Sequence, residues 1–164
     1  MQFAYKHEPE KMQSVYRTMF QTDSTNLLAV KQILDTYGWL GPEVIGPNGG
    51  TTLFLVIQHS DQATQEKYLP IMRQAVKEGK AEITDLALLE DRVLIGQGKK
   101  QIYGSQLIYD QKTNAYALQP LDDPDHVDER RHAIGLGSLT DYLASFGLKW
   151  DKEKYKKDQE SKGN

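Results

Sequence analysis

The 164-residue chain contains no cysteine, and that absence removes several chemistries at once. Disulfide bonds, thiolate nucleophiles and thiolate-held metals all need a sulfhydryl. The compartment stays open, because an exported protein can lack disulfides as readily as a cytosolic one. Long hydrophobic runs are missing too. A bilayer-spanning helix needs about 20 apolar residues, and the longest uninterrupted run here is Leu53 to Ile57. The opening segment MQFAYKHEPEK lacks the apolar centre of a secretory signal. Neither sign of charge dominates: 20 basic and 23 acidic residues leave −3 at pH 7, with no overall pull toward nucleic acid or an anionic membrane. Four histidines are present, at positions 7, 59, 126 and 132, and none stands in a metal-binding spacing such as H-E-x-x-H. No metal and no cofactor is therefore expected. Internal repeats and low-complexity tracts are also absent.

What is present suits a soluble globular chain, with 38% hydrophobic and 26% charged residues. The length predicts one domain, residues 1–148, able to bury roughly two-thirds of its unfolded surface. The remainder, 149–164, is a charged tail nearly without aliphatics and reads as a fraying helix or a disordered end.

Apolar spacing in the first half is helical. Met12, Val15, Tyr16, Met19 and Phe20 recur at three and four residues, and Leu27, Val30, Ile33, Leu34 and Tyr37 form a second stripe closed by Gly38. The intervening QTDST is rich in cap-forming residues, so the spacing predicts two helices folded as an antiparallel hairpin. Glycine and proline punctuate residues 38–50, with Val44 and Ile45 expected to tuck into the core. TTLFLVIQH, residues 51–59, suits a buried strand or a buried helix; helical neighbours and the lack of a nearby strand partner favour helix. Tyr68, Leu69, Met72, Ala75 and Val76 mark a further helix ending near Gly79.

A helix from Glu82 is apolar nearly all round and belongs at the centre of the domain. It carries Asp91 and Arg92, which as neighbours diverge by about 100° around the axis and so need separate partners. Beyond it, QIYGSQLIYD and NAYALQP alternate around Gln111 to Asn114, predicting a β-hairpin. On such a strand Gln101 and Tyr103 share a face, and a bulge at Gly104 would bring Gln106 to the same side. Val127 to His132 reads as a helical turn, and Ser138 caps a last helix bearing Leu139, Tyr142, Leu143 and Phe146. The fold class is α+β: a predominantly helical single domain with one inserted β-hairpin.

Charged groups in apolar surroundings must be hydrogen-bonded, paired or put to use. Arg92 either grips an anionic group, with Asp91 orienting a base or a substrate hydroxyl, or both residues tie the hairpin and the C-terminal segment to the central helix. His59 with Asp61 suits a general base with its carboxylate, and equally a helix junction with a cap. Gln101, Tyr103 and Gln106 suit recognition of a polar ligand, or an ordinary edge strand. Asp128, Arg130 and Arg131 form a surface charge patch, or supply one inward arginine to the cluster around Asp91.

Five strings together resemble a bacterial family catalogued only as a domain of unknown function. They are Gly38-Trp39-Leu40, Gln58-His59-Ser60-Asp61, Leu89-Glu90-Asp91-Arg92, the segment Gln101 to Gln106, and Val127 to Leu136. The family's forms are GWP, QHAD, LxDR, QxYGTQ and VDxRRxxxGL, and the resemblance covers residues 24–146. Leu40 replaces the family's proline, which loosens the turn, and Ser105 replaces threonine while keeping the hydroxyl. The resemblance implies that the polar positions act as a set and supplies no reaction.

The expectation is a polar cleft with His59, Asp61 and Asp91 as catalytic residues and Arg92, Gln101, Tyr103, Gln106, Arg130 and Arg131 as substrate-binding residues. Such a cleft would serve hydrolysis or group transfer on a small polar or phosphate-bearing substrate. The alternatives are a non-catalytic module for a small ligand or peptide, and a structural protein with a buried polar network. Neither nucleic acid nor membrane is an expected partner, and the sequence leaves the oligomeric state open.

Overall fold

A computed structural model describes residues 9–111 and 114–162. Among these residues eight helices and one two-stranded antiparallel sheet give an α+β, mainly helical architecture. The first element, α1 (Pro9–Tyr37), is a single helix of 29 residues, and this overturns the expected two-helix hairpin. The reason lies in the cap-type residues themselves. Ser24 and Thr25 turn their hydroxyls back onto the carbonyls of Phe20 and Gln21, at 2.8 and 2.9 Å. Bonded to the preceding turn, they stay inside the helix and do not interrupt it, and no glycine or proline between Pro9 and Gly38 forces a break.

Gly38, at φ +69°, closes α1 in the left-handed region. After α2 (Pro42–Ile45) comes α3 (Gly49–Gln58), which settles residues 51–58 as helix, with Leu53, Phe54, Ile57 and Gln58 buried. Val44, expected in the core, is 63% exposed, because on the single turn of α2 it is Ile45 that packs inward. The helices α4 (Gln62–Lys77) and α5 (Ile83–Gly96) follow. A first core forms where α3 lies between α1 and the α4–α5 pair. Val30, Leu34, Trp39, Ile57, Tyr68, Met72 and Leu89 meet there.

The hairpin pairs β1 (Leu107–Asp110) with β2 (Ala115–Leu118), Leu107 opposite Leu118 and Asp110 opposite Ala115. Of its expected turn, Lys112 and Thr113 lie outside the described residues. Gln101 and Tyr103 do not belong to the strand, contrary to the alternation pattern. Gln101 makes only an isolated bridge to Leu121, and residues 102–106 form a loop.

A smaller second core of Leu121, Val127, Leu139 and Leu143 is built by the segment after the hairpin, α6 (Val127–Ala133) and α7 (Leu139–Ala144). Ser138 caps α7 through the Asp141 amide, as its position predicts. The tail is the helix α8 (Lys152–Lys162), and Trp150 and Tyr155 pack against this second core. Tyr155 also accepts the Leu121 amide on its hydroxyl at 2.6 Å.

Candidate functional site

The central helix α5 presents Asp91 and Arg92 in different directions, and each finds its own partners. Asp91 is fully buried. One carboxylate oxygen accepts the amides of Ile102 and Tyr103 at 2.6 and 3.0 Å, and the other accepts the Ser105 amide at 2.9 Å. Three backbone donors thus surround a carboxylate that would otherwise cost several kcal/mol to bury. Gly104 makes this geometry available. At φ +72° it turns the chain so that amides on both sides of it converge, and a Cβ there would stand 2.9 Å from Leu139 Cδ1. The same bonds explain why no strand forms: these amides are already committed to Asp91.

The loop's carbonyls face three other side chains. Arg130 donates from Nε to Ile102 O at 3.0 Å, and from Nη2 to the carbonyls of Asp122 and Asp123. Arg131, buried, donates to Tyr103 O at 2.7 Å and to Gly137 O at 2.6 Å. Its guanidinium lies 5.1 Å from the ring centre of Tyr142, whose hydroxyl donates to Ser105 O at 2.7 Å. The loop from Ile102 to Ser105 is therefore held by an acid on one side and by two arginines and a tyrosine on the other.

Gln101 is buried and fastens the hairpin. Its side-chain amide donates to the carbonyls of Gln106 and Gln119, both at 3.0 Å, and accepts the Gln106 amide at 2.7 Å. Half-buried Arg92 donates to Gln106 Oε1 at 3.2 Å and to the Gln58 carbonyl at 3.1 Å, and burial pushes its guanidinium below the usual arginine value. Gln65, buried, donates to that same carbonyl and to Ser60 O. The Tyr103 hydroxyl makes no hydrogen bond among the described residues; burial, more than the nearby Glu90 and Asp91 carboxylates, raises its pKa.

His59 and Asp61 stand elsewhere. His59 ends α3, with its ring exposed and without a hydrogen bond among the described residues. Asp61 caps α4, accepting the Thr64 amide at 2.9 Å and the Thr64 hydroxyl at 3.0 Å. Those two bonds hold its carboxyl below the ordinary 3.8. Both residues border a groove of about 720 Å³ between α1 and the α3–α4 junction, with Phe20, Asp23, Leu27 and Leu55 among its lining. Gln58, the residue before His59, is buried, and its backbone carbonyl accepts from Arg92 of α5. The structure thus gathers Asp91, Arg92, Gln101, Gln106, Arg130 and Arg131 with the Tyr103 backbone into one network, and places His59 with Asp61 in a separate groove.

Gln58, Gln65 and Tyr142 belong to this network; Gln58 stood only inside the Gln58-His59-Ser60-Asp61 string, and Gln65 and Tyr142 were not singled out from sequence. Tyr142 read as one apolar position among several, and the two glutamines carry no local signal of burial. Met19 and Phe20, read from sequence as part of one apolar stripe, line an open groove. Among the described residues no group of three or more His, Asp or Glu side chains is placed to hold a metal ion. Nor is any described helix long and apolar enough to cross a membrane.

The matching family model is described as a family of unknown function, DUF6624, and it covers residues 6–151. The chain belongs to that family. No curated protein and no solved structure was found to match.

Proposed function

We propose that the protein is a non-catalytic binding module whose recognition surface is the groove beside His59. The observation that carries this reading is the division of the polar residues. Asp91 has both carboxylate oxygens filled by amides, and Arg92, Arg130 and Arg131 are spent on carbonyls and one glutamine. Hydrolysis or group transfer needs an acid, a base and a substrate in mutual reach; these groups face the loop they hold. His59 keeps its ring free on the wall of a groove of ligand size, beside exposed apolar side chains. A concave apolar surface with a few polar groups is the usual form of a recognition site.

Thermal-shift measurement of the purified chain against peptides, nucleotides, sugars and divalent metals tests the reading. A ligand of the folded state raises the melting temperature by mass action. The expected result is a ligand whose shift disappears in His59→Ala and Leu55→Asp while both variants keep their own melting temperature. A ligand whose shift survives both substitutions, together with turnover that Arg92→Lys abolishes, would reverse it.

A further inference from the structure

We infer that the groove's occupant is a cationic amphipathic helix of another protein, an inference that rests on the binding reading above. The core-facing stripe of α1 does not stop where the core stops. Val30 and Leu34 are buried against α3, and the same side of the helix continues toward the N-terminus as Leu27, Asp23, Met19, Phe20 and Tyr16. Leu27 still packs against the first core, and Met19, Phe20 and Tyr16 beyond it are exposed. Phe20 is 74% exposed, Tyr16 52% and Met19 48%. Leu55 and Val56 of α3 supply the opposite wall. From Tyr16 to Leu27 the open stripe is about 17 Å long at 1.5 Å per residue, which is three turns of a second helix laid along the first. Helix-in-groove recognition takes this form, with apolar anchors at three- and four-residue spacing.

Charge decides what kind of helix. The groove's lining includes two carboxylates, Asp23 and Asp61, and no lysine or arginine. Asp23 makes no hydrogen bond or ion pair among the described residues, and Asp61 stays ionised through its cap bonds, with Lys31 acting on it only through space. Arg17 borders the N-terminal end of the stripe, beside Tyr16, Met19, Phe20 and Asp23. A partner helix therefore meets apolar side chains along its centre and two carboxylates, Asp23 and Asp61, against that one arginine. A lysine or arginine flanking its apolar face is complementary, a glutamate is repelled, and the acidic lining disfavours an anionic lipid surface.

Fluorescence anisotropy with two labelled model helices of about 18 residues, one built from leucine and lysine and one from leucine and glutamate, tests this on the full chain. The leucine–lysine helix is expected to bind at least about tenfold more tightly. Asp23→Lys should weaken it by about tenfold, and added salt should weaken it further. Phe20→Asp separates the groove from general attraction to an acidic protein. It adds negative charge, so non-specific binding of a cationic helix holds or strengthens, whereas seating in the groove is lost. Binding that tolerates Phe20→Asp overturns the inference, as do equal affinities for the two helices. Phe20-dependent preference for the leucine–glutamate helix keeps the binding reading and overturns the cationic occupant. Two further outcomes also overturn it: a dimer in sedimentation that Phe20→Asp dissociates, and Phe20-dependent attachment to phosphatidylcholine vesicles.

Discussion

The Asp91 carboxylate and the Ser105 amide, 2.9 Å apart and fourteen residues distant in sequence, join the central helix to the loop that precedes the hairpin. Ser105 is one of three residues of this loop whose amides the buried carboxylate accepts, so Asp91, together with the neighbouring Arg92–Gln106 bond, couples the helix of the first core to the loop beside the second.

Removing that side chain should be expensive. Asp91→Ala leaves three amides, that of Ser105 buried and those of Ile102 and Tyr103 partly so, without acceptors and should cost about 3 kcal/mol or more in urea denaturation. Asp91→Asn keeps one acceptor oxygen but sets an NH2 group against a backbone donor, so an intermediate loss is expected. Formate or acetate should restore part of the melting temperature of Asp91→Ala by entering the vacated amide cradle. A loss below about 1 kcal/mol for Asp91→Ala would show that the loop is held by other means.

Gly104 should tolerate no side chain. A left-handed non-glycine residue costs about 1–2 kcal/mol, and its Cβ would press on buried Leu139 at 2.9 Å. Gly104→Ala is expected to destabilise by about 2 kcal/mol or more, and Leu139→Ala by a further amount that is less than additive in the double variant. Strict additivity would place the two residues out of contact.

The docking of α8 should depend on pH in the acid range. Lys152 and Lys156, at 2.8 and 2.5 Å, hold the Asp125 carboxyl down to about 2 from its ordinary 3.8. A pKa lowered in the folded state gives a contribution that is complete above the unfolded value and is lost as pH falls through the folded one. Amide exchange in α8, followed from pH 5 to about pH 2, should therefore accelerate below about pH 4 in the native chain. In Asp125→Asn the exchange should be faster throughout, without that acid dependence once intrinsic rates are subtracted. An unchanged pH profile in the variant would remove Asp125 from this role.

The continuity of α1 has a direct ruler. Spin labels at positions 13 and 35 should lie about 33 Å apart along one helix, from 22 residues at 1.5 Å each. A hairpin of two packed helices would bring them to roughly 10 Å. Replacing Thr25, whose hydroxyl bonds Gln21 O, by proline should shorten the measured distance by kinking the helix.

Much of the fold was legible because its signals are local. The stripes of α4 and α5, the Ser138 cap, the Gly38 stop and the turn to helix after Asp61 all depend on contacts within about four residues. The same locality misled at residues 21–25. Cap-type side chains serve helix starts and helix interiors by the same short hydrogen bonds, and only the absence of a competing tertiary contact leaves them inside α1. The site was half legible. Buried charge marked Asp91 and Arg92 as residues in need of partners, and the partners then proved to be backbone groups, which carry no sequence identity.

The sequence by itself determined a mainly helical domain without thiol chemistry, with charged residues placed where burial would demand partners. Tertiary structure alone decided which partners those were. Asp91 reaches amides eleven to fourteen residues away, and Arg131 a carbonyl 28 residues away. Packing likewise decided that His59 opens onto the α1 groove while the side chain of its neighbour Gln58 is buried. Adjacent residues on a helix differ by about 100°, and only the helices packed around α3 convert that angle into two separate surfaces.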